Sequence, residues 1–282
     1  MKHNTSKKRT GIILNILAIF CFIFSNAQDD YTKSLKGITK VQIETGTTIK
    51  VIAGTGNELK FSKYEHDEHD HDHENCDHEH NAECYDCDKN DDRSKGLKAV
   101  YSGGVDNTGF GMSISQEGSV LKIKDLKSWM QRNGLQITLP KTMDLHIDAG
   151  NMGRAIIVGF SSEIEVNTNV GSISLQDVTG PITAHSSTGT IEVDFSSVSQ
   201  TSPITLNSST GAVDVSLPTN TKANLELNST MGTIFTDFDL HKPSDDGMKV
   251  VGATRKIESK LNNGGVKIVL RSSTGNIYLR KK

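Results

Sequence analysis

"ITAHSSTGTIEV", residues 182–193, carries the pattern that decides the fold. Ile182 and Ala184 alternate with polar residues before a Ser-Ser-Thr-Gly corner, and Ile191 and Val193 alternate after it. Strict period two marks a strand with one buried face. Two such runs around a hydroxyl-rich, glycine-containing break read as two short strands joined by a tight corner, which glycine suits by reaching φ > 0. The unit recurs as "IEVNTNVGSISL" (Gly171), "ITLNSSTGAVDV" (Gly211), "LELNSTMGTIFT" (Gly232) and "IVLRSSTGNIYL" (Gly275). With Gly189 in its place, the corner glycines are 18, 22, 21 and 43 residues apart. The last gap is close to two periods and holds a polar excursion at residues 242–247.

One such strand pair has too little apolar area to stand alone, so the repeats must stack and share a continuous core. The expected fold class is all-β: a β-solenoid, or β-helix-like stack of two-strand repeats. Taken in chain order, Ile173, Ile191, Val213, Ile234 and Ile277 form one inward column. Ser187, Ser209 and Ser273 occupy equivalent corner positions, where a hydroxyl ladder is expected. The outward position three residues after each glycine holds Ser174, Glu192, Asp214, Phe235 and Tyr278, and His185 shares an outward row with Asn167, Asn207, Asn228 and Arg271.

Alternation extends upstream. "ITKVQIETGTTIKVIAG" (38–54) and "LQITLPKTMDLHIDAG" (135–150) are strand signals punctuated by Pro140 and Gly150. "LHIDAGNMGRAIIV" (145–158) is a degenerate first coil, and helical propensity is weak and confined to residues 126–132. The implied division is a signal peptide at 1–27, an N-terminal β cap at 28–64, a disordered acidic His/Cys-rich insert at 65–92 and solenoid repeats at 93–282.

Lys2, Lys7, Lys8 and Arg9 precede an apolar run of 14 residues (11–24), and Ser25-Asn26-Ala27 offers small residues for cleavage. That run is short of the roughly 20 residues a spanning helix needs, so it reads as a secretory signal peptide. A lipoprotein site at Cys21 fits less well, with Phe20 before it. No further stretch has membrane length. The expected location is outside the cytoplasm, in the periplasm or at the cell exterior. The body lacks clustered Lys and Arg with interleaved aromatics, which argues against nucleic acid as a partner.

The insert has a composition of its own. Residues 65–92 carry 13 acidic side chains against one Lys, so this block cannot pack and is expected to be a solvated excursion. Within it stand His66, His69, His71, His73, Cys76, His78, His80, Cys84 and Cys87. Imidazole and thiolate are ligands of zinc, copper and nickel. Their irregular spacing does not match a folded zinc finger; it suits a flexible chelating tract. Charge alone would need only Asp and Glu, so the interleaved His point to a transition-metal ion, zinc first and copper or nickel as alternatives. In an oxidising compartment Cys84 could instead pair with Cys87, or Cys76 with either, but three cysteines leave one thiol over.

The units "SSTGTIEV" (186–193), "SSTGAVDVSLP" (208–218), "LNSTMGTIFTDF" (227–238) and "SSTGNIYL" (272–279) resemble bacterial adhesin-like proteins of the β-strand-repeat type, a domain family of largely unknown function. The resemblance spans roughly 38–279, interrupted by the insert. It implies a secreted β-solenoid and carries no catalytic motif. Glu192 and Asp214 would lie about 4.8 Å apart on adjacent coils, a spacing that evokes a carboxylate pair, but sequence places no arginine in register with them. Two functions follow as expectations: an exported non-enzymatic solenoid presenting a zinc-binding loop, or an adhesin-like scaffold binding glycan or a cell-surface protein.

Overall fold

The structure, a computed structural model, describes residues 31–64, 96–127, 134–240 and 255–282. The described residues form two ten-stranded sheets packed face to face, each contributing one strand to every coil of a β-solenoid. From one end of the stack the coils pair β6 (Val120–Asp125) with β7 (Leu135–Pro140), then β2 (Lys40–Glu44) with β3 (Ile49–Gly54). Next come β8 (Asp144–Asp148) with β9 (Ala155–Val158) and β10 (Ile164–Thr168) with β11 (Ile173–Val178). β12 (Ile182–Ser186) with β13 (Ile191–Phe195) and β14 (Ile204–Ser208) with β15 (Val213–Leu217) follow. The last two are β19 (Val266–Ser272) with β20 (Ile277–Lys281), and β16 (Ala223–Ser229) with β17 (Ile234–Thr236).

Neighbouring coils pair in parallel and in register. Antiparallel strands close the ends: β4 (Glu58–Lys63) and β1 (Tyr31–Ser34) lie beyond β7, β5 (Met112–Glu117) beyond β6, and β18 (Arg255–Leu261) beyond β16. Of these end strands only β5 forms a sequential hairpin with its neighbour, β6. The fourth sheet edge is the short three-residue β17, parallel to β20, brevity being one way to blunt an exposed edge.

Two features of this order depart from the sequence-based expectation. Residues 40–54, within the N-terminal cap expected over 28–64, supply β2 and β3, a full coil between β6/β7 and β8/β9; of the strands in 28–64 only β1 and β4 act as end strands. The final coil in chain order is not last in space. β19 and β20 wedge between the Gly211 coil and the Gly232 coil, so the inward column runs Ile173, Ile191, Val213, Ile277, Ile234. All coils carry the same inward pattern, so the swap leaves the column intact. Ile173, Ile191, Val213 and Ile277 are fully buried, and Ile234, on the edge strand, is partly buried. Burying each such side chain contributes about 1.5–3 kcal/mol. The weak helical signal at 126–132 falls mostly outside the described residues.

The corners show why the repeat is spelled as it is. Gly171, Gly189, Gly211, Gly275 and Gly232 stack directly on one another, and none has a positive φ. Glycine is required here by proximity: a Cβ on Gly189 would stand 1.9 Å from the carbonyl oxygen of Gly171, and one on Gly275 would stand 2.2 Å from that of Gly211. The hydroxyl ladder exists, one residue earlier than expected. Thr168, Ser186, Ser208, Ser272 and Ser229 donate to the carbonyls of Gly153, Gly171, Gly189, Gly211 and Gly275 at 2.9–3.2 Å. Ser186 Oγ also accepts from Gly189 N–H at 2.8 Å, and Ser272 Oγ from Gly275 N–H at 2.9 Å. Ser187, Ser209 and Ser273 instead give their backbone N–H to the preceding coil. The inner hydroxyl is the one that satisfies buried corner groups, as buried backbone requires.

Candidate functional site

The outer faces of the two sheets hold side chains at fixed spacing, one strand apart, about 4.8 Å. On the face carrying β11, β13, β15, β20 and β17, the row three residues past each corner glycine reads Ser174, Glu192, Asp214, Tyr278, Phe235. Sequence identified these five positions but ordered the last two the other way, because it took the coils in chain order. With β20 next to β15, Arg280 lies within reach of Asp214, and it donates Nε–H and Nη2–H to the two carboxylate oxygens at 2.9 and 2.7 Å. Arg280 stands in register with Ser216 rather than with the two carboxylates, so it reaches Asp214 diagonally, a contact that the register row alone does not reveal. The fork raises the pKa of Arg280, chiefly through the hydrogen bond to Asp214. It also occupies Asp214, so Glu192 and Asp214 are neighbours in register but not a free carboxylate pair.

The aromatic side chains continue the row. Phe235 and Tyr278 stack with centroids 5.3 Å apart and planes 9° apart, and the guanidinium carbon of Arg280 lies 5.3 Å from the Tyr278 centroid. Asn276 holds this end in place, donating Nδ2–H to the Tyr278 hydroxyl at 3.0 Å and accepting Thr233 N–H at 2.9 Å. Such geometry combines offset aromatic packing with a cation–π contact. Phe235 is nonetheless 48% exposed.

Beside the aromatic stack is a trough of about 360 Å³ lined by Ser174, Gln176, Glu192, Asp194, Ser216 and the Asp214–Arg280 pair. Ser174, on its floor, is buried and accepts from Gln176 Nε2 at 3.4 Å. Asp194 takes a hydrogen bond from the Lys282 ammonium. Glu192 is exposed and, among the described residues, has no hydrogen-bond or ion-pair partner.

The opposite face is polar in a different way. Asn167, His185, Asn207, Arg271 and Asn228 lie in one register row, as sequence places them, with Arg271 between Asn207 and Asn228. His185 Nδ1 and Asn207 Nδ2 are 3.2 Å apart, and His146 Nδ1 meets Glu165 Oε2 at 2.8 Å. Near its end Glu226, with a side chain 13% exposed, is gripped by Arg271 and Lys267 at 2.9 Å each. The hydrogen bond from Arg271 first, then that from Lys267, lowers its pKa from 4.5 to about 2.

His66, His69, His71, His73, Cys76, His78, His80, Cys84 and Cys87 lie outside the described residues. Among the described residues, no group of three or more His, Cys, Asp or Glu is gathered as a metal ion would need. No helix among them is long and apolar enough to cross a membrane, a statement that does not bear on membrane β-barrels.

A family model described as Toastrack DUF4097 matches residues 113–280, most of the coils and their corner glycines. The chain belongs to this Toastrack family. Its two stacked sheets and repeated corners are thus a family architecture, in line with the adhesin-like, unknown-function group that the sequence resembles. Among solved structures, a candidate cell adhesion protein from Clostridium sporogenes is similar at 10% identity and a TM-score of 0.45, over 90% of this chain and 99% of that one. No curated protein matches the chain.

Proposed function

We propose that this Toastrack protein is an exported, non-enzymatic scaffold whose solenoid body binds a component of a cell surface. The observation that carries the reading is the outer face of β11, β13, β15, β20 and β17. There a partly exposed aromatic stack and a polar trough are held on two adjacent register rows by main-chain pairing. A site built on strands presents its side chains with little conformational freedom, which favours recognition of an extended ligand. The bidentate grip of Arg280 on Asp214 supports a binding role over an acid–base one, because a catalytic carboxylate must be free to exchange a proton. The name of the Clostridium protein agrees with this reading and does not argue for it. The test is binding of labelled mature protein, residues 28–282, to intact cells and isolated envelopes. Saturable binding that the unlabelled protein competes away is expected; non-saturable adsorption alone would remove the reading.

A second activity rests on the composition of the insert. Nine imidazole and thiol side chains concentrated between residues 66 and 87 support capture of a transition-metal ion, with zinc the first choice and copper or nickel behind it. Zinc affinity is expected to be micromolar or tighter, although ordering the segment around an ion would cost about 1–2 kcal/mol per fixed residue and so weakens binding. Free imidazole takes up a proton near pH 6.5, so binding should weaken as pH falls through that value, while carboxylates stay largely ionised. Zinc calorimetry on reduced protein at pH 7.5 and 5.5, against a variant with all six insert His changed to Asn, separates the ligand types. Equal affinity of parent and variant at pH 7.5 would leave the insert as a polyanionic spacer.

A further inference from the structure

We infer that the trough and its aromatic end form a carbohydrate subsite that takes a neutral oligosaccharide lying across the strands, from Phe235 towards Ser174. This rests on the scaffold reading and names the ligand class for that face. The row spans five strands, β17 to β11, so four spacings or roughly 19 Å. A pyranose unit is about one strand spacing long, so an extended oligosaccharide can place successive sugars over successive rungs.

The chemistry of each rung fits a sugar. A pyranose has an apolar C–H face and a rim of hydroxyls, so it is recognised by an aromatic surface together with planar groups that bond two neighbouring hydroxyls. Phe235 supplies the aromatic surface, stiffened by stacking on Tyr278 and by the Asn276 contact behind it. Arg280 retains guanidinium N–H groups beyond the two that bond Asp214. Next along the row, Glu192 points into the trough with no partner among the described residues, so its carboxylate can accept two hydroxyls. Gln176 and Ser174 close the far end with an amide and a hydroxyl.

Charge sets the class of glycan. Asp214 is neutralised by Arg280 and Asp194 by Lys282, which leaves the Glu192 charge uncompensated within the trough. A uronic-acid chain laid over it would face like charge in a partly desolvated contact, a repulsive element that selects against acidic polymers. The subsite therefore takes neutral hexose or N-acetylhexosamine oligomers.

The experiment uses mature protein on an array of neutral hexose, N-acetylhexosamine and uronate oligomers of four to six sugars, followed by calorimetry with the best hexamer. Phe235→Ala and Glu192→Gln probe the subsite. Thr183→Ala, exposed on the opposite face, is the control, and circular dichroism checks each fold. A neutral oligomer should bind, weakened at least tenfold by either subsite change and unaffected by the control. Binding that survives both subsite changes would overturn the location. Tighter binding of uronates, or no neutral oligomer bound at all, would overturn the ligand class. In either case, retained binding to envelopes would leave the scaffold reading standing, and its loss would remove both.

Discussion

Replacing Ser186 with Ala tests the corner ladder at a single atom. Ser186 is fully buried, donates to Gly171 O at 3.2 Å and accepts from Gly189 N–H at 2.8 Å, so its hydroxyl joins two coils and closes its own corner. The change removes both hydrogen bonds and leaves a carbonyl and an N–H in a place where the neighbouring coil restricts water. Each bond contributes about 0.5–1.5 kcal/mol net, and an orphaned buried group costs about 1–3 kcal/mol. Gly189 is only partly buried, so water offsets part of that cost. The expected loss is about 2–3 kcal/mol, which lowers Tm by roughly 5–10 °C for a domain of this size. Ser187→Ala is the matched control: it removes the same hydroxyl one residue along, from a side chain that holds no hydrogen bond across the corner, and should change stability by under about 0.5 kcal/mol. Urea unfolding followed by circular dichroism measures both, with the m-value checked for constancy. Equal losses, or a larger loss for Ser187→Ala, would refute the assignment of the ladder to the inner hydroxyl.

Val213→Asp places an unpaired carboxylate in the inward column, between Ile191 and Ile277, and should cost several kcal/mol or abolish folding; a melting curve like the parent's would refute the shared column. Glu226, held at a pKa of about 2 against 4.5 in the unfolded chain, stabilises the fold fully above about pH 4.5 and loses that contribution as pH falls towards 2. Solvent screening reduces it to about 1–2 kcal/mol. Glu226→Gln should therefore be less stable than the parent at pH 7 and nearly equal to it at pH 2.5, and a gap that stays constant over that range would sink the assignment.

Sequence by itself determined the repeating unit. Period-two alternation around Ser-Ser-Thr-Gly dictates two strands and a corner, and it places Ile191, Val193 and their equivalents inward and Glu192 and its equivalents outward, since adjacent side chains on a strand point to opposite faces. It also marks His66 to Cys87 as a segment with a chemistry unlike the rest of the chain. The five positions of the candidate row were legible for the same reason.

Only the tertiary structure decided which coil neighbours which. Every coil offers the same main-chain edge and the same inward apolar pattern, so alternation alone cannot tell chain order from the order in which β2/β3 and β19/β20 are interleaved. End strands and connections settle it, and these act at long range. The subsite follows from that choice: with β20 beside β15, Arg280 crosses to Asp214 and Tyr278 stands between Asp214 and Phe235. The reason for the corner glycines was likewise hidden, because the atom that forbids a Cβ on Gly189 is the carbonyl of Gly171, 18 residues away along the chain and in contact only once the coils stack.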